Sequence, residues 1–284
     1  MRTLLIDGDV VAFQTAAAEE KAFEFEPGQW TYAADAEQGK ANVDLAIDYY
    51  QSILDAERVV IAISDKENWR KEVLPTYKSN REGQRRPMIL SALKDHLAST
   101  YETFIRPTLE ADDILGILAT SKTLIPGEKV ILSIDKDLRT IPGIHWNPSK
   151  ETRYPAGRDP VAEPVKVSMK EADLLFYSQA LSGDAVDGYA GCPSIGPGRA
   201  KKIVRNPYEL VREVSTISRG PNAGKERVRW VKQPTTDVWR AIVSHYERAG
   251  LTEEDALVTA RVARILRVED YDFKERKVKL WSPS

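Results

Sequence analysis

The sequence predicts an α/β fold with a mostly parallel central sheet flanked by helices. Two observations carry this expectation. Three short apolar runs, at 3–6, 59–63 and 130–134, alternate with stretches of helical periodicity, and each run delivers an aspartate just behind it: Asp7, Asp65 and Asp135. Short continuous apolar runs suit strands buried on both faces. Their alternation with helices suits a parallel sheet. The carboxyl ends of such strands are where an open α/β sheet places its site, so three acids there are hard to read as solvated loop ends.

Taken in order, the first strand, 3–6, ends in Asp7-Gly8-Asp9, where Gly8 permits close backbone approach. Residues 43–54 are an amphipathic helix, apolar at Val43, Ala46, Ile47, Tyr50 and Leu54. The second strand, 59–63, leads to Ser64-Asp65. Residues 69–87 are dense in Lys and Arg, with Trp69 and Tyr77 interleaved. Residues 88–101 return to helical periodicity, with Ile89, Leu90, Leu93 and Leu97 on one face. A helix over 114–119 follows the acidic cluster Glu110, Asp112 and Asp113, placing these acids near its N-terminus, where the helix dipole favours them. The third strand, 130–134, runs into Asp135-Lys136-Asp137.

Residues 147–164, rich in Pro, Gly and charge, read as an irregular excursion or hairpin at a lobe boundary. A helix is expected at 172–181, then Gly183-Asp184-Ala185-Val186-Asp187-Gly188, then the glycine turn Ile195-Gly196-Pro197-Gly198 leading into a helix from about Arg199. Further helices are expected at 207–214, 236–248 and 252–266, the last capped near Thr252, and 218–234 reads as a mobile basic loop. The expected organisation is an α/β core over 1–170, carrying the basic segment 66–100, and a helical lobe over 171–284.

Composition narrows the class. The 284 residues are 42% hydrophobic and 30% charged, the pattern of a globular chain with a sizeable core. The strand at the very start gives no sign of a signal peptide, and no apolar run approaches the ~18–20 residues of a membrane span. A single cysteine, Cys192, excludes an intrachain disulfide and a cysteine-based zinc site. The three histidines are too far apart in sequence to form a ligand pair. The formal net charge is −2, and setting aside the nine acids Asp7, Asp65, Glu110, Asp112, Asp113, Asp135, Asp137, Asp184 and Asp187 moves it to +7. A basic surface around an acidic pit suits a phosphodiester substrate held next to metal ions. Carboxylates brought together repel, and hard divalent cations with oxygen ligands neutralise them. Aromatics among cations suit nucleic acid, because bases stack on rings and cations hold phosphates. The glycine turn, followed by Arg199, Lys201 and Lys202, suits a DNA phosphate at a helix N-terminus.

These motifs together resemble the 5′-nuclease (flap endonuclease) superfamily, most closely the 5′–3′ exonucleases of T7-like bacteriophages. The resemblance rests on Ile6-Asp7-Gly8, Asp65 with Trp69-Arg70, Leu74-Pro75-Thr76-Tyr77-Lys78-Ser79-Asn80-Arg81, Glu110-Ala111-Asp112-Asp113, Ser133 to Leu138, and Gly183 to Gly188 running into Ile195 to Gly198, in the family's order. It implies a PIN-like α/β nuclease core and a helix–three-turn–helix element at about 183–203. It also implies two Mg²⁺ ions, for which Mn²⁺ substitutes. The first would be served by Asp7, Asp65, Glu110, Asp112 and Asp113, the second by Asp135, Asp137, Asp184 and Asp187. Lys78 and Arg81 would act on the scissile phosphate, and Arg70, Tyr77, Arg85, Arg86, Gly196, Gly198, Arg199, Lys201 and Lys202 would bind DNA. Asp9 stands where relatives carry an uncharged residue.

The implied activity is metal-dependent 5′–3′ exonuclease and flap endonuclease hydrolysis of duplex or flapped DNA, extending to RNA in RNA–DNA hybrids, in the cytoplasm of a phage-infected host and with no obligate protein partner. Two rivals are a haloacid-dehalogenase-type phosphatase with Asp7 as nucleophile, suggested by Asp7-Gly8-Asp9, and a non-catalytic structure-specific DNA-binding protein.

Overall fold

The computed structural model describes residues 1–150 and 163–283. Most of the excursion expected at 147–164 therefore lies outside the described residues.

From the N-terminus, β1 (Arg2–Asp7) runs into α1 (Gly8–Glu19), a hairpin of β2 (Lys21–Glu26) and β3 (Gln29–Ala33), α2 (Ala36–Ile53) and β4 (Arg58–Ala62). The short α3 (Arg70–Val73) and a 3-10 turn at Ser79–Arg81 precede α4 (Leu90–Thr100), β5 (Thr103–Phe104), α5 (Ala111–Thr120), β6 (Glu128–Leu132), β7 (Gly143–Trp146) and β8 (Val165–Val167). Then come α6 (Met169–Ser182), β9 (Gly183–Asp184), β10 (Tyr189–Ala190), α7 (Pro197–Arg205), β11 (Tyr208–Thr216) and β12 (Glu226–Pro234). The chain continues through α8 (Val238–Arg248), α9 (Glu253–Ala263), β13 (Tyr271–Asp272) and β14 (Lys277–Val278).

The chain divides into two compact units, one of residues 1–69, 83–171 and 265–279, the other of 70–82, 172–264 and 280–284. The basic stretch 70–82 thus groups with the second unit and 265–279 with the first.

The first unit is the expected α/β layer structure. Its sheet has the order β5-β4-β1-β6-β7-β8, parallel throughout except for β8 against β7. The strands read as unbroken apolar runs because both faces are covered. Leu4, Ile6, Ile61, Val130 and Leu132 are buried with Val11, Ala12 and Ala16 of α1, Val43 and Ile47 of α2, and Leu93 and Leu97 of α4. Each large side chain removed from water contributes roughly 1.5–3 kcal/mol. Gly8 starts α1 hard against β4: a Cβ there would lie 2.6 Å from Ile61 Cγ2 and 2.9 Å from the Ala62 carbonyl oxygen. Neither α1 nor the β2–β3 hairpin was expected. The alanine-rich α1 has only a weak apolar stripe, and the hairpin's residues are exposed throughout, so neither carries a clear periodic signal.

The second unit packs α6, α7, α8 and α9 around Phe176, Leu181, Ile203, Trp239, Ile242, Tyr246 and Ala260. Its expected helix at 207–214 and mobile loop at 218–234 are corrected. Residues 208–216 and 226–234 pair as the antiparallel hairpin β11–β12. Val211, Val214, Thr216, Val228, Trp230 and Val231 favour a pleated strand, and the partner strand across the turn overrides the weak helical pattern. The last helix is capped by Thr252, whose hydroxyl accepts from the Asp255 N–H, and it ends at Ala263 rather than 266.

Candidate metal centre and basic segment

In the first unit β1 lies between β4 and β6, with Asp7 opposite Ala62 and Ile6 opposite Leu132. The register therefore brings three strand ends side by side, with Asp7 in the middle. Each flanking strand leaves through a serine. Ser133 Oγ donates to Asp7 Oδ2 at 3.0 Å and accepts from the Asp135 N–H at 3.0 Å. Ser64 Oγ accepts from the Ala111 N–H at 2.9 Å, which ties the end of β4 to the start of α5. Asp7 also caps α1 by accepting from the Val10 N–H at 3.1 Å. Asp9 accepts from the Ser64 N–H at 3.2 Å and pairs with Lys94 at 2.6 Å. Asp65 accepts from the Thr108 N–H at 2.8 Å, and backbone N–H groups hold its carboxyl below the usual range. The Asp137 N–H donates to Asp135 Oδ1 at 2.8 Å.

Asp7 is almost fully buried. Burial first, then the charges of Asp9 and Asp135, push its carboxyl up to about 7. The donors are hard carboxylate oxygens, and the surplus negative charge beside a buried carboxyl fits a hard divalent cation. Among the described residues, no three His, Cys, Asp or Glu side chains already stand in an arrangement that could hold a metal ion. Asp7, Asp9, Asp65 and Asp135 contact serines, Lys94 and backbone N–H groups.

Glu110 is the N-cap of α5 and Asp112 lies in its first turn. Asp113 is fully buried and accepts from Trp69 Nε1 at 3.0 Å and from the Leu266 N–H at 3.1 Å. Its carboxylate thus ties three separate segments of the first unit together.

In the second unit, Lys78 and Arg81 converge on one carboxylate. Arg81 Nη2 donates to Asp187 Oδ1 at 2.5 Å, Lys78 Nζ lies 3.7 Å from Oδ2, and Tyr77 Oη donates to Oδ2 at 3.2 Å. Lys78 adopts the left-handed conformation, φ +54°, and its N–H donates to the Asp187 carbonyl at 2.9 Å. Asn80 reaches the carbonyls of Ala185 and Val186. Asp184 accepts from the Val186 N–H at 2.7 Å.

Two residues expected to contact DNA are buried. Arg70 is 2% exposed, and its guanidinium donates to the carbonyls of Val262 at 2.9 Å and Arg264 at 2.7 Å, closing the C-terminal end of α9. Tyr77 is 3% exposed and packs in the core of the second unit with Tyr189, so its face cannot stack on a base. Arg85 is exposed but stacks on Tyr32 at 4.0 Å and binds both carboxylate oxygens of Glu20. Gly196 caps α7, which begins at Pro197 rather than at Arg199. A Cβ at Gly196 or Gly198 would meet nothing within 4 Å, so these glycines leave the helix start open rather than relieving a steric clash. Arg199, Lys201 and Lys202 are exposed on α7.

Sequence reasoning missed Ser64, Ser133 and Lys94. The serines stand close behind two strands, Ser64 two residues beyond β4 and Ser133 directly beyond β6. Lys94, 85 residues from Asp9 in the chain, left no local signal.

Residues 2–160 match the model of the 5′-3′ exonuclease N-terminal resolvase-like domain. The chain is 31% identical to the exonuclease of Escherichia phage T7 over 99% of its own length and 93% of that protein's. It is 28% identical to the flap endonuclease Xni of Shewanella oneidensis, over 60% of this chain and 64% of that one. A structure of the T5 5′-exonuclease with bound zinc superposes with a TM-score of 0.55 at 18% identity, covering 72% of this chain and 75% of that chain, which shows a shared PIN-like 5′-nuclease fold. By its sheet, its motifs in order and these matches, the chain belongs to the 5′-3′ exonuclease family.

Proposed function

We propose that the chain is a metal-dependent 5′–3′ exonuclease with flap endonuclease character, hydrolysing phosphodiester bonds at the 5′ ends of duplex or flapped DNA. The observation that carries this reading is the delivery of Asp7, Asp65 and Asp135 by neighbouring strand ends in a chain of this family. Two Mg²⁺ ions, or Mn²⁺ in their place, would when bound supply activation of the attacking water and stabilisation of the leaving oxygen. Asp7, Asp65, Glu110, Asp112, Asp135 and Asp137 are the acids assigned to hold them. Asp113, which also fixes the start of α5, and Asp184 and Asp187 of the second unit are further candidate ligands.

Lys78 and Arg81, held ready on Asp187, are assigned to the scissile phosphate, where charge builds during reaction. Residues 183–203 act as a helix–three-turn–helix element, with Arg199, Lys201 and Lys202 on duplex phosphates, and Arg86 adds charge to the approach surface. RNA in RNA–DNA hybrids is included as a substrate.

The test is digestion of 5′-labelled blunt, flapped and hybrid duplexes with and without Mg²⁺. Short 5′-phosphorylated products that require the ion support the reading. Release of inorganic phosphate alone, or binding without cleavage, sinks it.

A further inference from the structure

We infer that the β11–β12 hairpin is a second, sequence-independent DNA-binding element that tracks the phosphates of a duplex; this rests on the reading of the chain as a DNA nuclease. The two strands pair over nine positions, from Tyr208 with Pro234 to Thr216 with Glu226. Partners across an antiparallel pair share a face. One face carries Glu213 opposite Arg229 and Ser215 opposite Arg227, and the other carries Arg212 opposite Trp230.

Arg212, Arg227 and Arg229 are exposed, as are Arg219 and Lys225 in the turn. Among the described residues, none of the four arginines has an acidic partner within ion-pair distance, although Glu213 and Glu226 stand on the same hairpin. This contrasts with Arg85 and Arg240, each of which is held by a carboxylate. Unpaired guanidinium groups on an exposed ribbon are free to take phosphate oxygens, for which their planar fork is well matched.

The base of the hairpin is fixed. Leu210 is buried and its N–H donates to Ser244 Oγ of α8 at 2.9 Å, while Tyr208 packs edge-on against His245. Because α8 also packs against α7, the ribbon and the helix that carries Arg199 are anchored on one element of the same unit. The major groove of B-DNA admits a two-stranded ribbon. Arginines two positions apart on one strand lie roughly 6.6–6.8 Å apart, about two base-pair steps along a DNA strand.

The test measures duplex DNA binding by the full chain in Ca²⁺ across a salt series, with R227A/R229A, R227Q/R229Q and R227K/R229K. The Ala and Gln variants should each lower the slope of log affinity against log salt by about two, one per phosphate contact, and raise the dissociation constant on the order of tenfold. The Lys variant should keep the slope. Cleavage of the same duplex by the wild type in Mg²⁺ reports separately on the nuclease reading. A wild type that cleaves, beside Ala and Gln variants whose slope is unchanged or whose loss falls only on single-stranded DNA or RNA, overturns the assignment of the ribbon.

Discussion

Trp69 Nε1 donates a 3.0 Å hydrogen bond to Asp113, a carboxylate with no exposed surface at the first turn of α5. Asp113 also receives the Leu266 N–H, so one acid fixes the entry to the basic segment, the start of α5 and the chain beyond α9. Trp69→Phe keeps the ring's bulk and removes the donor, leaving a buried charge short of a partner. Such a loss costs about 1–3 kcal/mol. The thermal midpoint of the Trp69→Phe variant should fall by several degrees. An unchanged midpoint would mean that water or another donor replaces the indole without cost.

Arg70 makes a related point within the second unit. Its guanidinium meets the carbonyls of Val262 and Arg264, where the helix dipole of α9 favours a cation. Arg70→Met should destabilise the protein by about 2–4 kcal/mol, since two buried carbonyls lose their donor. The salt dependence of DNA binding should stay as in the wild type, because a side chain buried to this degree cannot release counterions. A slope lowered by about one would return Arg70 to the DNA-contacting set.

Much of this was legible in the sequence because it is local. The strands β1, β4 and β6 are built around continuous apolar runs; Asp7 closes β1, and Asp65 and Asp135 lie three residues beyond β4 and β6. The Thr252 cap with Asp255 is a four-residue pattern. What the sequence hid depends on distant pairing. Arg70 and Tyr77 stand in a run that looks like a solvated basic face, yet their partners lie more than 100 residues away. The ribbon was obscured in a similar way, since β11 becomes a strand only through its register with β12.

Glu20 and Arg85 show how far a cation in the basic segment is already committed. Arg85 binds both oxygens of Glu20, the Met88 N–H adds a third bond, and together they hold the carboxyl down at about 2. The folded value lies below the ordinary 4.5, so the pair's contribution to stability is present above that pH and is lost as pH falls through about 2. A carboxyl-carbon NMR titration should place Glu20 near 2, and Arg85→Ala should move it most of the way back, the Met88 bond retaining the remainder. A Glu20 midpoint at the ordinary value in the wild type would show Arg85 to be uncommitted and available for phosphate.

The metal assignment separates catalysis from binding. Asp135→Ala or Asp112→Ala should abolish Mg²⁺-dependent cleavage while leaving duplex affinity in Ca²⁺ little changed, because the contacts that hold DNA are cation–phosphate contacts elsewhere on the chain. Chelation of divalent ions should mimic the loss, and Mg²⁺ should restore the wild type alone. Near wild-type turnover by either variant would show that the acid in question does not serve the ions.

Lys78 and Arg81 meet on Asp187 although only Arg81 belongs to the 3-10 turn, because the left-handed backbone at Lys78 turns the chain so that both cations reach the same carboxylate. A side chain held this way, with the Lys78 ammonium also 5.1 Å from the Tyr77 ring centroid, is ordered before any phosphate arrives. Preorganised charge lowers a barrier, whereas loose charge mainly steers encounter. The two roles differ in where the loss falls on substitution. A transition-state contact lowers turnover of bound substrate, while a steering charge weakens binding. Lys78→Ala should therefore lower the single-turnover rate at saturating enzyme by ~10²-fold or more, in line with loss of one preorganised donor. Its dissociation constant in Ca²⁺ should change by less than about tenfold, as for one phosphate contact among several. Arg81→Ala should follow the same pattern, and Arg86→Ala should act mostly on binding. A Lys78→Ala rate within about threefold of wild type, a loss under 1 kcal/mol, would confine Lys78 to holding Asp187 and remove it from the chemistry.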